Sequence, residues 1–313
     1  LRTRLARSPG LSVSLVGRDP GLARSVSRLS LPAIGRPGLE GQLARIWQMA
    51  ACEEALAPLP APPGPELSFL CPVFDAEPAW LDTLLESFRG QARAAELILA
   101  DDGSTRADTA HWLAAHDGEP GLRILRSREN RGIAHATNRA LAAARGDWVG
   151  LVDHDDALAP HAVARIRRAL AGEPGTLFLY TDEVIADAQM RPVSTFLKPA
   201  FDPLLLSGVN YVNHLALYRR DRLAALGGLR EGFEGSQDYE LVLRYCRGLE
   251  AGRIRHLPYP AYVWRQRAES VSHAGRERAT DRARAALEEH LGALAGPVRA
   301  EPALRTDLHR PRF

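Results

Sequence analysis

The chain has 313 residues, of which 45% are hydrophobic and 25% charged, and its formal net charge is +2. This composition is ordinary for a globular protein, and the near-neutral charge gives no electrostatic reason to expect a nucleic-acid partner. Cys52, Cys71 and Cys246 form neither a disulfide framework nor a zinc-ligand spacing. No stretch approaches the ~18 continuous apolar residues of a membrane span. We therefore expect a cytoplasmic protein with reduced thiols.

The N-terminal part differs from the rest in composition. Residues 1–38 are rich in Arg, Ser, Gly and Pro and predict a basic arm or part of a preceding element. The arm lacks the apolar core of a secretory signal, and a peripheral contact with the inner face of the membrane is one role expected for it. Residues 39–65 predict a helix and then a proline-rich linker, because proline fixes φ and removes a donor. A main domain is expected over 66–275, followed by a C-terminal helix and tail over 276–313.

Strand and helix patterns alternate through the first half of the main domain. This βαβα rhythm predicts a mostly parallel central sheet with helices on both faces. The predicted strands are Leu67–Phe74, Glu96–Ala100, Leu122–Arg126, Asp147–Val152 and Thr176–Tyr180, and the predicted helices are Pro78–Gln91, Arg106–His116, Gly132–Ala144 and Pro160–Ala171. Beyond Thr181 the rhythm loosens, with strands predicted at Tyr211–Tyr218 and Arg253–Leu257 and helices at Asp238–Arg247 and Ala279–Ala293.

Two of the predicted strands end in clusters of carboxylates. Asp101 and Asp102 follow one apolar run, and Asp153, Asp155 and Asp156 follow another. Ligands of open α/β sheets bind at the carboxyl ends of strands, so the two clusters suggest one polar crevice. Clustered carboxylates need a compensating positive charge, which a hard divalent cation together with phosphate groups can supply. The pattern thus favours a metal-assisted enzyme that acts on a phosphorylated donor.

Each cluster also has an ordinary structural interpretation. The Asp101–Ser104 segment suits a turn whose aspartate caps a helix, and the Asp153–Asp156 segment could be a solvated loop. Asp238 opens a predicted helix, where an acidic side chain is common, but a carboxylate held at a helix start beside a crevice could equally serve as a general base.

Several motifs, taken together and in this order, resemble family 2 glycosyltransferases of the GT-A fold, over about 67–273. The motifs are Cys71-Pro72-Val73-Phe74, Ala100-Asp101-Asp102-Gly103-Ser104-Thr105, Glu129-Asn130-Arg131-Gly132, Leu151-Val152-Asp153-His154-Asp155-Asp156, Glu234-Gly235-Ser236-Gln237-Asp238-Tyr239 and Val263-Trp264-Arg265. The subgroup most similar to this chain comprises bacterial transferases that build O-antigen and other surface polysaccharides. The resemblance implies a Rossmann-like α/β domain with a smaller subregion on the acceptor side.

The resemblance also implies a set of donor-binding residues. The nucleotide of the donor sugar would be bound by Pro72, Phe74, Asp101, Asp102, Arg131, Asp153 and Arg265. Asp153 and Asp155 would form the DxD element at the metal site, with Asp155 as the ligand of Mg²⁺ or Mn²⁺ and Asp153 contacting ribose or a metal-bound water. The departing nucleoside diphosphate would be stabilised by the cation.

On the acceptor side, the resemblance implies that Asp238 removes the proton from the attacking hydroxyl. Many family members have Glu-Asp where this chain has Gln237-Asp238, a departure that leaves the expected base in place. The implied reaction is a metal-dependent, inverting transfer from a UDP- or dTDP-linked sugar to a growing bacterial surface glycan. The partners would be the nucleotide sugar and a glycan or lipid-linked glycan acceptor.

Two alternatives stay open from the sequence. A receiver-type phosphoacceptor domain also has an acidic pair, a later aspartate and a Lys-Pro, which Asp101-Asp102, Asp153 and Lys198-Pro199 imitate. A catalytically inactive sugar-nucleotide-binding module on the same fold is the other. Lys198 is the only lysine of the chain, and we hypothesise that a site near the crevice needs a compact point charge there.

Overall fold

The computed structural model describes residues 38–266, 273–303 and 308–312. The described residues fall into two compact units, the first ending at Gln48 and the second beginning at Met49. The predicted arm lies outside the described residues except for Gly38. Helix α1 spans Leu39–Leu56, as the sequence predicts.

The first half of the second unit alternates strands and helices as predicted. In chain order it contains β1 (Leu67–Val73), α2 (Pro78–Arg89), β2 (Ala95–Asp101), α3 (Ala107–Ala115), β3 (Leu122–Leu125), α4 (Ile133–Ala143), β4 (Trp148–Leu151), the short β5 (Ala157–Leu158), α5 (Ala162–Gly172) and β6 (Phe178–Ala186). Short 3-10 turns lie at Ala92–Ala94 and Ala251–Arg253.

The second half contains more elements than the sequence analysis predicts. It continues with β7 (Pro192–Phe196), α6 (Pro203–Gly208), β8 (Ala216–Arg219), α7 (Arg220–Ala225), α8 (Gln237–Cys246), β9 (Ile254–Arg265), α9 (His273–Ala295), β10 (Arg299–Pro302) and β11 (His309–Arg312). Strands β6 and β9 are longer than predicted because they pair with each other along most of their length.

The strands β1 to β9 form one sheet in the order β3-β2-β1-β4-β8-β6-β9-β5, with β7 added beside β6. Strands β1, β2, β3, β4, β6 and β9 run in one direction, whereas β5, β7 and β8 run in the other. The sheet is therefore mostly parallel, as predicted. A separate antiparallel pair is formed by β10 and β11.

The central strands are buried, which explains their continuous apolar sequences. Every residue of β2 is buried, and six of the seven residues of β1 are. Helix α2 begins with Pro78, which is tolerated at a first turn, and buries Leu81, Leu84, Leu85 and Phe88. In the C-terminal part, Ala283, Ala286 and Leu287 of α9 lie in the same apolar core as residues of α8. In the parts of the chain that the structure describes, we find no helix with the length and apolar character that crossing a membrane requires.

Candidate active site

The two acidic clusters lie at one edge of the sheet, where β2, β1 and β4 end side by side. The parallel register aligns Asp101 of β2 with Val73 of β1, and Leu70 of β1 with Leu151 of β4. The two acidic clusters therefore follow strands that flank β1, and two strand spacings correspond to about 10 Å. Both clusters emerge at the carboxyl edge of the sheet, as predicted.

A small cavity of about 60 Å³ lies beside this edge and brings three of the predicted site residues together. Asp153, at the end of β4, and Asp238, in the first turn of α8, both line it, and so does Pro72 of β1. Its other walls are formed by Leu70, Ile133, Thr137, Leu151, Val152, Asn213, His214, Ala216, Leu229 and Gln237. Carboxylates that are 85 residues apart in the sequence thus share one hollow.

Asp238 is held in place by two amide side chains. Its Oδ2 atom accepts hydrogen bonds from Nδ2 of Asn210, at 3.1 Å, and from Nδ2 of Asn213. Burial raises the pKa of Asp238 above its ordinary value, although the positive charge of His214 opposes that change. A carboxylate with a raised pKa is a stronger proton acceptor than an exposed one, which suits a general base.

The Asp153–Asp156 segment presents its carboxylates to different surroundings. The side chain of Asp153 is 46% exposed, whereas Asp155 and Asp156 are buried. Asp156 accepts hydrogen bonds from the hydroxyl of Tyr262, at 2.8 Å, and from the backbone N–H of Arg265, at 2.8 Å. Burial and the nearby Asp153 charge raise the pKa of Asp156 to about 8. The segment is thus anchored to β9 through its last aspartate.

His214 is a site residue that the sequence analysis did not single out for a role. Its Nε2 lies 3.5 Å from Oδ2 of Asp153, and its Nδ1 lies 3.7 Å from Oε2 of Glu183. Burial alone would lower the pKa of His214, but the two carboxylates raise it to about 10. Its ring stacks on Tyr262, with 5.2 Å between ring centroids. A protonated His214 therefore balances part of the negative charge of the site.

Asp101 and Asp102 make local contacts and do not line the cavity. Asp101 pairs with Arg126, with 2.8 Å between Oδ2 and Nε. Asp102 accepts backbone N–H bonds from Arg131 and, at 2.7 Å, from Gly132, where α4 begins. These bonds hold the loop before α4, because Arg131 and Gly132 precede its first residue, Ile133, and they are not the predicted cap on the next helix, α3. In the same cluster, a Cβ on Gly103 would lie 2.7 Å from the Glu129 backbone.

The remaining predicted donor residues occupy three different positions. Phe74 is 44% exposed at the end of β1, and Arg131 is also exposed. Arg265 is buried, and its guanidinium donates to the carbonyl oxygens of Asp155, at 2.6 Å, and Ala188, at 2.8 Å. Those two bonds tie the acidic segment to β9 and to the β6–β7 turn. None of the three residues lines the cavity.

The acidic segment has the chemistry of a hard-cation site but not a complete ligand set. Among the described residues, no group of three or more His, Cys, Asp or Glu is arranged to hold a metal ion. Asp153 and Asp155 nevertheless concentrate carboxylate oxygens around the buried Asp156, whose pKa they raise. Oxygen donors of this kind fit Mg²⁺ or Mn²⁺ when phosphate oxygens complete the coordination.

The mixed sheet, with acidic segments at its carboxyl edge, has the GT-A fold, which two solved structures share. A solved structure of Staphylococcus aureus TarS, residues 1–349, in complex with UDP-GlcNAc superposes with a TM-score of 0.58 at 17% identity, over 72% of this chain and 66% of that chain. The mannosyltransferase PcManGT from Pyrobaculum calidifontis, in complex with GDP-Man and Mn²⁺, gives a TM-score of 0.52 at 21% identity, over 81% and 72% of the two chains.

The sequence comparisons identify the family. The model of glycosyl transferase family 2 matches residues 68–226, and the chain belongs to this family. The O-antigen biosynthesis protein RfbC of Myxococcus xanthus is 40% identical over 248 residues, which is 78% of this chain but only 19% of RfbC. The succinoglycan biosynthesis protein ExoU of Rhizobium meliloti is 34% identical over 65% of this chain and 64% of its own length.

Family membership decides one of the alternatives that the sequence left open. The receiver-type interpretation is wrong, because the chain belongs to glycosyl transferase family 2 and its nine-stranded sheet is mixed. The lysine that suggested it also has other partners, since the Lys198 Nζ lies 2.8 Å from the carbonyl oxygen of His214 and not beside Asp153.

Proposed function

We propose that the protein is a metal-dependent, inverting glycosyltransferase that moves a sugar from a UDP- or dTDP-linked donor to a hydroxyl of a bacterial surface glycan. The observation that carries the proposal is the shared cavity, which is lined by Asp153, Asp238 and Pro72. An in-line displacement needs a leaving group on one side of the anomeric carbon and a base on the other. We assign Asp153 to the side of the leaving group and Asp238 to the side of the base.

On the donor side, Asp153 and Asp155 are the residues that would hold Mg²⁺ or Mn²⁺ together with the two donor phosphates. The bound cation would offset the charge that develops on the departing nucleoside diphosphate. We propose that the nucleoside lies at the carboxyl ends of β1 and β2. The residues at or beside these ends are Pro72, Phe74, Asp101, Asp102 and Arg131. Arg265 would contribute by holding the backbone of Asp155 in place.

On the acceptor side, we propose that Asp238 accepts the proton of the attacking hydroxyl. The acceptor oxygen forms the new bond to the anomeric carbon while the bond from that carbon to the diphosphate oxygen breaks, and the diphosphate leaves with the electron pair. Because Asn210 and Asn213 both donate to Oδ2 of Asp238, we propose that Oδ1 is the atom that receives the proton.

The names of the relatives support polysaccharide biosynthesis as the setting. RfbC and ExoU are named for O-antigen and succinoglycan, and TarS and PcManGT were solved with nucleotide sugars. The acceptor would accordingly be a glycan or lipid-linked glycan. A cytoplasmic location with contact to the inner face of the membrane stays a prediction.

The test is hydrolysis of a panel of UDP-, dTDP- and GDP-sugars with Mn²⁺, followed by the same reactions in EDTA. We expect one donor to be hydrolysed slowly in the absence of acceptor, and both its hydrolysis and its affinity to fall in EDTA. An enzyme that binds a donor but never hydrolyses it would favour the inactive sugar-nucleotide-binding module. Equal donor affinity with and without EDTA would refute the metal assignment.

A further inference from the structure

Lys198 is the one lysine in a chain whose other Lys or Arg positions all carry arginine. Its side chain is fully buried, with 0% exposure, just after strand β7. An arginine can replace a lysine at most exposed positions. A single buried lysine therefore indicates a site that accommodates an ammonium group but not a planar guanidinium group. The surroundings of the ammonium group explain this choice.

The Lys198 ammonium group faces three acceptors. Its Nζ lies 2.8 Å from the carbonyl oxygen of His214, 3.5 Å from that of Val212 and 3.7 Å from Oε2 of Glu183. The ammonium group thus donates hydrogen bonds to the two carbonyl oxygens and forms an ion pair with Glu183. The two carbonyl groups belong to the residues on either side of Asn213, and a single cation therefore fixes both ends of that short segment.

The same segment joins the two sides of the active site. Asn213 donates to the proposed base, Asp238. The next residue, His214, faces Asp153 through Nε2. The backbone N–H of His214 also donates to Oε2 of Glu183, at 2.7 Å, so that Glu183 holds the segment from the same side as Lys198.

We propose that Lys198 is a positioning residue whose ammonium group fixes the 212–214 segment between the donor and acceptor sides of the active site. The consequence for catalysis rests on the proposed function, in which Asp238 is the base. Burial lowers the pKa of Lys198 to about 8, so its charged form is costly to keep inside the protein. Because the buried charge itself costs stability, its presence is better explained by its role in holding the 212–214 segment.

The test compares Lys198→Met and Lys198→Arg with a matched control, Glu96→Gln. Glu96 is also a buried charged group, paired with Arg145 at 2.8 Å, but it lies at the opposite end of the sheet in β2. Hydrogen–deuterium exchange of the 212–215 peptide is measured in the free protein. Donor turnover and the donor KM are measured with whichever nucleotide sugar of the panel the wild type hydrolyses.

We expect both Lys198 variants to exchange faster over 212–215, while exchange in β1 is unchanged. Their kcat should fall at least about tenfold with less than about a threefold change in donor KM, because small displacements of a catalytic group are costly. Glu96→Gln should lose stability but keep its kcat.

Unchanged exchange in Lys198→Met would overturn the proposal, and so would faster exchange with wild-type kcat. Lys198→Arg with wild-type exchange and turnover would overturn the requirement for an ammonium group. An equal loss of kcat in Glu96→Gln would mean that general destabilisation is the cause. If the wild type hydrolyses no sugar of the panel, the proposed function fails, and exchange alone decides whether Lys198 holds the segment.

Discussion

Replacing Asp102 with alanine tests whether this aspartate principally holds the loop before α4 in place. Asp102 is 3% exposed and accepts the backbone N–H groups of Arg131 and Gly132 where α4 begins. A hydrogen bond to a charged acceptor is worth about 1.5–3 kcal/mol. Asn130 Oδ1 already lies 3.2 Å from the Gly132 N–H and can replace part of the loss. We therefore expect Asp102→Ala to lower the free energy of unfolding by about 2–3 kcal/mol.

The assay is urea unfolding at equilibrium, with Asp202→Ala as the matched control. Asp202 caps α6 through the backbone N–H groups of Leu204, at 2.8 Å, and Leu205, at 3.2 Å, but it is exposed. Water can replace an exposed acceptor, so the control should lose only about 1 kcal/mol. A loss below about 0.5 kcal/mol in Asp102→Ala, together with weaker donor binding, would refute the structural account and favour a nucleotide contact.

Two further predictions concern residues around the cavity. Tyr262→Phe removes the hydroxyl that donates to Asp156 and accepts the backbone N–H of Asp153, at 2.9 Å. The variant should therefore lose about 1–3 kcal/mol of unfolding free energy and bind the donor more weakly in the presence of Mn²⁺. An unchanged urea midpoint and an unchanged donor affinity would contradict this prediction. The pKa of Lys198 is about 8 when folded and 10.5 in its ordinary state, so the unfolded chain binds more protons between these pH values. The free energy of unfolding of the wild type, measured relative to that of Lys198→Met, should therefore rise between pH 8 and pH 10.5. If the two proteins show the same dependence of stability on pH, Lys198 does not carry a buried charge.

The first half of the fold was predictable because its signals are local. Strands β1 and β2 are continuous apolar runs, and α2 opens with Pro78 and repeats its apolar residues at helical spacing. The later elements carry weaker signals. Strand β7 has no fully buried residue and lies beside β6 alone, and α6 and α7 have only six residues each. Short, exposed elements depend on tertiary contacts that a single sequence does not display.

For the site, sequence patterns predicted the acidic residues but not their partners. The motifs located Asp153 and Asp238, which the fold brings to one cavity. The roles of His214 and Tyr262 could not be read from the sequence, because each acts through a residue far away along the chain. Lys198 did carry a signal, since it is the only lysine, but its acceptors are backbone oxygens that no motif records.

The central claim is that Asp153 and Asp238 act on opposite sides of one reacting sugar. The most direct measurement is donor affinity and turnover for Asp153→Asn and Asp238→Asn, with the nucleotide sugar that the wild type hydrolyses and Mn²⁺ present. We predict that Asp238→Asn keeps donor affinity and loses at least about a hundredfold in turnover, whereas Asp153→Asn also loses donor affinity. Wild-type turnover in Asp238→Asn, or unchanged donor affinity in Asp153→Asn, would contradict the account.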